Sequence, residues 1–395
     1  MPRTAARTAK TTTKRRSKAT PRAKRSLGVA LLGTRFMGRA HSTAWLQCGR
    51  FFDLPFEVDR RLAAGRDGTH AKRFARQWGW TSGSAEWRDA LADPEVAIID
   101  VATPNNLHAE MSIEALRAGK HVACEKPLAG TLNDARRMRL AAAQAAKRGL
   151  KTFVWFNYRR CPAVAFAHQL VGEGRLGRIH HVRACYLQDW GRNAPAGLWR
   201  FRRAEAGSGA HGDLNAHIVD MARFITGDEI VEVAGAIEHT ISRKHEVDDA
   251  VLFLAHFAHG AVASFEGTRF ATGNQNRNTI EINGERGSLR FDFERMNELQ
   301  WWDDTLPSKL RGWSRIMCTN AGDHPYAGAY WPPAHLIGYE HGFTSMAADI
   351  VRVLGGKKPE IPLPDFEDAW RTQCVLEAAL RSARTRRPVA LSSVR

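Results

Sequence analysis

Apolar and polar positions along the chain fall into two regimes. From Leu27 to about Lys151, short apolar runs alternate with stretches of helical periodicity. Leu27 to Leu32, Leu62 to Ala64, Ala97 to Ala102 and His121 to Glu125 read as strands, mostly apolar and so buried on both faces. Arg39 to Cys48, Thr69 to Trp78 and Ala109 to Ala118 read as the helices between them. Strand and helix alternating over short connections predict a doubly wound parallel sheet. After Lys151 the pattern mixes helices with strands at His180 to Gln188, Glu232 to Thr240, Ala250 to Phe257 and Ala261 to Thr268. A hairpin at Ala258 to Gly260 joins two of them. We expect here a large, mostly antiparallel sheet with helices on one side, its apolar positions explained if both faces are covered. The chain is thus α/β in class, with an α/β domain over 27–150 and an α+β domain over 151–395.

The first strand runs straight into Gly33-Thr-Arg-Phe-Met-Gly38 and then a helix. Strand, glycine turn and helix place a pyrophosphate on a helix N-terminus, where free N–H groups and the helix dipole favour an anion. The pattern departs from Gly-x-Gly-x-x-Gly at Arg35, which stands where the middle glycine lets backbone approach phosphate. Arg35 can instead fold over the phosphates and supply a charge. Ligands of such sheets sit beyond the carboxyl ends of the strands, so Gly33, Thr103 and Lys126 should meet at one crevice. That makes 27–150 a Rossmann domain for NAD or NADP. Its cofactor contacts are expected from Gly33, Thr34, Arg35, Phe36, Met37, Gly38, Gly65, Arg66, Thr103, Pro104, Asn105, His108, Glu125 and Lys126. The second strand's tip chooses between the two cofactors. Gly65 stands at the position of the usual acid, Arg66 is placed to reach a phosphate or stack on adenine, and Asp67 is another ribose partner.

Charge adds one feature. The chain has 395 residues and a formal net charge of +17, and ten of those positive charges lie in the first 26 residues, which hold no acid. That leaves +7 for the rest. A segment so rich in charge, Thr, Ala, Ser and Pro has nothing to bury, so 1–26 is expected to be a disordered basic tail. It is either a solvated extension or an electrostatic hold on nucleic acid or an acidic partner, and the first is preferred. No apolar run approaches a membrane span, no secretory leader opens the chain, and a cytoplasmic protein is expected. The six cysteines are scattered without a Cys-x-x-Cys pair, which argues against a thiolate metal site and a disulfide framework. No metal is expected.

Several stretches together resemble a known family. Thr103-Pro-Asn-Asn-Leu-His108, Ala118-Gly-Lys-His-Val122, Glu125-Lys-Pro-Leu128 and Gly207-Ser-Gly-Ala-His-Gly-Asp213, continuing to His217 and Asp220, are similar to the signature of the glucose-fructose oxidoreductase/inositol dehydrogenase/rhizopine-catabolism (Gfo/Idh/MocA) family. Phe156 to Arg160, Tyr186 to Trp190, Asn283 to Leu289 and Arg295 to Leu299 resemble a subgroup that includes levoglucosan dehydrogenase. The resemblance implies a sugar, anhydrosugar or inositol-like polyol as substrate and a homo-oligomer, dimer or tetramer, built on the free sheet face. It makes Lys126 the catalytic lysine, with Pro127 commonly after a cis bond, and Asp213 and His217 its partners. The four-residue spacing of Asp213 and His217 puts both on one helical face, and equally suits a helix N-cap followed by a core histidine. Two positions depart from the family. Asn215 stands where glycine is frequent, and His211, where the family is apolar, adds a titratable group near the site that either alters specificity or faces solvent, the second being preferred.

Substrate contacts are expected from Tyr158, Arg159, Gln188, Trp190, Arg200, Asp213 and His217, with Asp189 and Trp199 beside them, since a sugar needs hydrogen-bonding groups and a flat apolar wall. The implied reaction moves hydride between nicotinamide and a carbinol carbon, and the hydroxyl proton needs a base. A lysine's solution pKa of about 10.4 is high for that, but burial and a cationic nicotinamide disfavour the ammonium form. Lys126 then receives or returns the proton, His217 shares it, and Asp213 orients or binds a neighbouring hydroxyl. The alternative is a non-catalytic dinucleotide- and sugar-sensing regulator of the same fold, against which Lys126, Asp213 and His217 stand together.

Overall fold

The computed structural model describes residues 24–195, 197–320, 322 and 324–394. Most of the basic tail therefore lies outside the described residues. Its expected end does not hold, because Arg25 and Ser26 already belong to the first strand and Lys24 bonds Asp53 at 2.5 Å.

Among the described residues the strands form two sheets. The first holds β1 (Arg25–Leu32), β2 (Phe56–Ala64), β3 (Ser82–Ser84), β4 (Val96–Val101), β5 (His121–Cys124) and β6 (Thr152–Val154). All pair in parallel, in the order β3-β2-β1-β4-β5-β6. Helices α1 (Phe36–Phe51), α2 (Gly68–Trp78), α3 (His108–Arg117) and α4 (Leu132–Ala146) cross between strands. Val29 to Leu32 and Ile98 to Val101 are almost wholly buried, as a strand covered on both faces must be. The order reverses beside β1, between β2 and β4, which opens a crevice at the strands' carboxyl ends. Register sharpens this. Leu32 pairs with Ala64 and Val101, and Val101 with Cys124, so Gly33, Gly65, Ala102 and Glu125 follow as a single rim.

The second sheet holds β7 (Ile179–Leu187), β8 (Ile230–His239), β9 (Ala250–Phe257), β10 (Val262–Thr268), β11 (Arg277–Gly284), β12 (Gly287–Asp292), β13 (Glu298–Asp303), β14 (Ser314–Met317) and β15 (Val389–Ala390). Its order is β14-β13-β12-β11-β7-β10-β9-β8-β15, antiparallel except where β10 lies parallel to β7. Helices α5 (Pro162–Gly172), α6 (Ala216–Thr226) and α8 (Phe366–Thr385) pack on one face. α7 (Tyr339–Leu354) and α8 follow β14 in sequence, yet α7 packs on α1 and α8 on α4, so these two helices clasp the first domain. Helices cover one face, as expected, and within one chain the other stays open. Ile237, Leu252 and Leu254 stand 52%, 39% and 54% exposed on the other face.

Candidate active site

Lys126 stands one residue past the rim formed by the first sheet, and its bond to Pro127 is cis. Its ammonium reaches across to the second domain, 2.8 Å from Asp213 Oδ1 and 2.8 Å from the Asp213 carbonyl oxygen. Asp213 lies in a wide π-turn, His211–Asn215, that leads into α6. The other Asp213 oxygen accepts from Arg269 Nη2 at 2.8 Å. Arg269 is 1% exposed, its guanidinium lying over the rings of Trp190 and Phe201. Burial opposes the Asp213 charge, but Lys126, Arg269 and Arg200 outweigh it and hold this carboxyl well below the usual range.

His217 completes the cluster from the first turn of α6. Its ring is wedged edge-on against Tyr158, 4.6 Å between centroids, with Phe156 and Tyr186 beside it. Burial, helped by the Lys126 charge, pushes the imidazole well below its ordinary pKa, so it is neutral near pH 7. Nδ1 is buried without a hydrogen-bond partner. These groups border a cleft of about 430 Å³ whose walls also include Thr103, Asn105, Asn157, Gln188, Trp190, Trp199, Arg200, Asn276 and Tyr339. One wall is a hydrogen-bonded chain. Tyr158 bonds Tyr186, Tyr186 and Gln188 both donate to Asn276 Oδ1, and Trp190 donates to Gln188.

The dinucleotide end is shaped for an anionic group. The N-terminus of α1 carries no capping side chain and no acid in its first turn, so its N–H groups suit an anion. Gly33 has φ +117°, and a Cβ there would lie 2.3 Å from the Ala102 carbonyl oxygen, so glycine alone allows β1 to turn against β4. A Cβ at Gly38 would strike the Gly33 carbonyl oxygen at 2.1 Å, which explains the closing glycine. Arg35 and Phe36 are exposed at this end, Met37 and Pro104 are half-buried, and Thr34 is buried beneath Gly65. Arg66 is exposed, whereas Asp67 accepts from His70 N and caps α2.

Several expected residues stand elsewhere. Arg159 does not face the cleft. It is 4% exposed and pairs with Asp220 and Asp368, joining the short 3-10 turn Asn157–Arg160 to α6 and α8. Tyr158 lies behind His217 and shapes the wall through Tyr186. Asp189 accepts from Gly273 N at the rim of the second sheet. His108 is fully buried, its nitrogens on the Pro127 and Thr103 carbonyls, so it ties the two cofactor-side loops together rather than lining them. His211 overturns its solvent-facing reading. It is 0% exposed, with Nε2 on the Leu376 carbonyl and Nδ1 facing the Asn215 amide. Sequence reasoning missed Arg269, Asn276 and Tyr339. Among the described residues no His, Cys, Asp and Glu cluster has the form of a metal site, and no helix is long and apolar enough to cross a membrane.

Comparison with known proteins adds the family. Residues 27–153 match a family described as oxidoreductases with an NAD-binding Rossmann fold, and residues 164–290 match the GFO/IDH/MocA C-terminal domain. Levoglucosan dehydrogenase of Pseudarthrobacter phenanthrenivorans is 37% identical over 385 residues, covering 91% of this chain and 96% of that protein. The crystal structure of an oxidoreductase domain protein from Kribbella flavida is 46% identical with TM-score 0.89, over 93% of this chain and 99% of that one. A levoglucosan dehydrogenase in complex with NADH and levoglucosan is 37% identical with TM-score 0.87, over 93% and 100%.

Proposed function

The chain belongs to the GFO/IDH/MocA oxidoreductases, and from that premise we infer that it moves hydride between a nicotinamide dinucleotide and a hydroxyl-bearing carbon of a sugar, anhydrosugar or inositol-like polyol, with Lys126 as its proton-transfer group. It is an NAD(P)-dependent dehydrogenase acting on CH–OH groups. One observation carries the assignment of roles: the Lys126 ammonium, the Asp213 carboxylate and a neutral, half-unpartnered His217 border one cleft between the glycine turn and the second sheet.

When bound, the dinucleotide supplies the hydride acceptor or donor. Gly33, Gly38 and the open N-terminus of α1 would hold its pyrophosphate, with Arg35, Thr103 and Asn105 along its course. The remaining work falls to side chains of this chain. In the reducing direction the Lys126 ammonium gives a proton to the substrate oxygen as it becomes a hydroxyl, and in the oxidising direction Lys126, as the free amine left by loss of that proton, takes the hydroxyl proton back. Asp213 fixes that amine, and Arg269 fixes Asp213 from behind. His217, uncharged, hydrogen-bonds the reacting hydroxyl without adding a second positive charge. Trp190 and Trp199 offer flat walls to C–H faces, while Gln188, Asn276 and Arg200 offer partners to hydroxyl edges. The name of a relative found both among curated proteins and among solved structures, levoglucosan dehydrogenase, supports the substrate class. The exposed apolar face of the second sheet is read as the contact with further copies of the chain, in a dimer or tetramer, and the cytoplasm as its place. A panel of sugars, inositols and anhydrosugars with each dinucleotide, followed by the absorbance of reduced nicotinamide, tests the reading. Turnover of simple aliphatic alcohols with none of any sugar or polyol overturns it.

A further inference from the structure

Behind the turn that carries Lys126, three ionisable side chains from separate elements meet in a space closed to solvent. His41 on α1 and Asp100 on β4 are 0% exposed, and Glu125 at the end of β5 is 5% exposed. His41 Nδ1 lies 3.0 and 3.1 Å from the two Asp100 oxygens, and Nε2 lies 3.0 Å from Glu125 Oε1. A neutral imidazole has one N–H and can donate to one carboxylate only, so a ring set between two ionised carboxylates satisfies both charges only when it carries both protons. Asp100 is further saturated by the indole N–H groups of Trp45 at 2.6 Å and Trp155 at 2.8 Å. The ring itself is flanked by Trp155 and Phe343. Burial opposes the imidazolium, but Asp100 and Glu125 outweigh it and lift its pKa to about 9. The neighbouring titratable groups, Cys124 and His108, are pushed by burial toward their neutral forms and add no charge.

The second Glu125 oxygen leads out of this cluster. It accepts the main-chain N–H of Lys126 at 3.0 Å. Burying ions costs several kcal/mol each even when paired, and an apolar cluster of equal volume is commonly as stable, so stability alone does not account for the arrangement. What the ions add is direction: a charged ring fixed at both nitrogens allows Glu125 one orientation. We propose that His41 is a positioning residue, clamped by Asp100 so that it holds Glu125, which in turn holds the Lys126 main chain and sets where the Lys126 amine stands against Asp213. The proposal rests on Lys126 as the proton-transfer group, and its first readout needs no turnover.

That readout is ¹⁵N NMR of the full chain labelled at histidine, with the His41 signals identified by their loss in His41→Gln. Both ring nitrogens of His41 should be protonated at pH 7.5, with couplings to Asp100 and Glu125; a neutral tautomer overturns the proposal. His41→Gln keeps one donor and loses the other, and should lower kcat about 10²-fold, the order expected from an ångström-scale misplacement of a catalytic group. Sugar KM and dinucleotide affinity should hardly move. Glu125→Gln should lower kcat similarly, and the double variant should be no worse than Glu125→Gln alone, because both act through one contact. Multiplying losses, or normal kcat in a folded His41→Gln, overturns the relay. Should His41→Gln not fold, Glu125→Gln and the His41 resonances, assigned then through Trp155→Phe perturbation, still decide it. If Lys126→Met retains activity while the imidazolium is observed, the functional reading fails and not the geometry of the clamp.

Discussion

Lys126 and Asp213, 87 residues apart in the chain, meet through two contacts of 2.8 Å, one to a carboxylate oxygen and one to the main-chain carbonyl. The double contact locks the amine to the π-turn rather than to a mobile side chain alone. It joins the two domains beyond the carboxyl end of β5, on the rim of the first sheet. Neither domain by itself holds both members of this pair.

Replacing Lys126 by Met removes the amine and keeps the length of the side chain. General acid–base groups contribute about 10² to 10⁴-fold, so kcat should fall by that order. Dinucleotide affinity, read by quenching of tryptophan fluorescence, should persist because the glycine turn is untouched. Near-normal turnover across the pH range would remove Lys126 from the mechanism.

Arg269→Met leaves Lys126 as the cation hydrogen-bonded to Asp213, with Arg200 acting from farther off. Losing a charge-assisted hydrogen bond of about 1.5–3 kcal/mol should lower kcat/KM by about 10- to 100-fold. The Asp213 carboxyl is held low against its burial by Lys126, Arg269 and Arg200. Without Arg269 it titrates higher, so activity should fail at a higher pH on the acid side. Arg269→Lys should recover part of both effects in a pH–rate profile.

Arg159→Met should unfold the protein more easily without altering catalysis. It strands Asp220, 2% exposed, beside Asp368. Breaking such a buried pair costs about 3–5 kcal/mol, readable as a lower denaturant midpoint. A raised sugar KM with unchanged stability would return Arg159 to the site.

Arg66→Ala should weaken NADP(H) more than NAD(H), since Arg66 is exposed at the tip of β2. Dissociation constants for both dinucleotides check this. Gly65→Asp is a poorer probe of the same question, because a Cβ there lies 2.6 Å from Thr34 Oγ1 and needs Thr34 to shift.

The His41 clamp has a pH signature in stability. Its pKa rises on folding from 6.5 to about 9, so the folded state binds the proton more tightly. The stabilisation is complete below pH 6.5, declines above it and is lost once pH passes about 9. The Tm difference between the native chain and His41→Gln should therefore be largest in mild acid and shrink through the alkaline range. A difference that grows with pH contradicts the imidazolium.

What the sequence by itself determined is local. Short apolar runs specify buried parallel strands, and β1 running into Gly33 and Gly38 specifies a turn that only glycine permits, because neighbouring backbone occupies the space of a Cβ. Lys126 was legible because strand ends in an alternating α/β pattern must share one crevice. Tertiary structure alone decided which charges serve the site. Arg159 and Arg269 look alike in sequence, but Arg159 is consumed by Asp220 and Asp368, 61 and 209 residues away. Arg269 reaches Asp213 because β10 lies parallel to β7, and it emerges beside Gln188 where Thr268 pairs with Leu187. His211 and Asn215 close on each other inside the core, which no periodicity reveals. Which face of the second sheet stays open was hidden for the same reason: alternation tells that two faces differ, and only the packed chain tells which one its helices cover. A pairing between distant charges depends on the register and packing of elements that neither residue belongs to, and that information is not local to either.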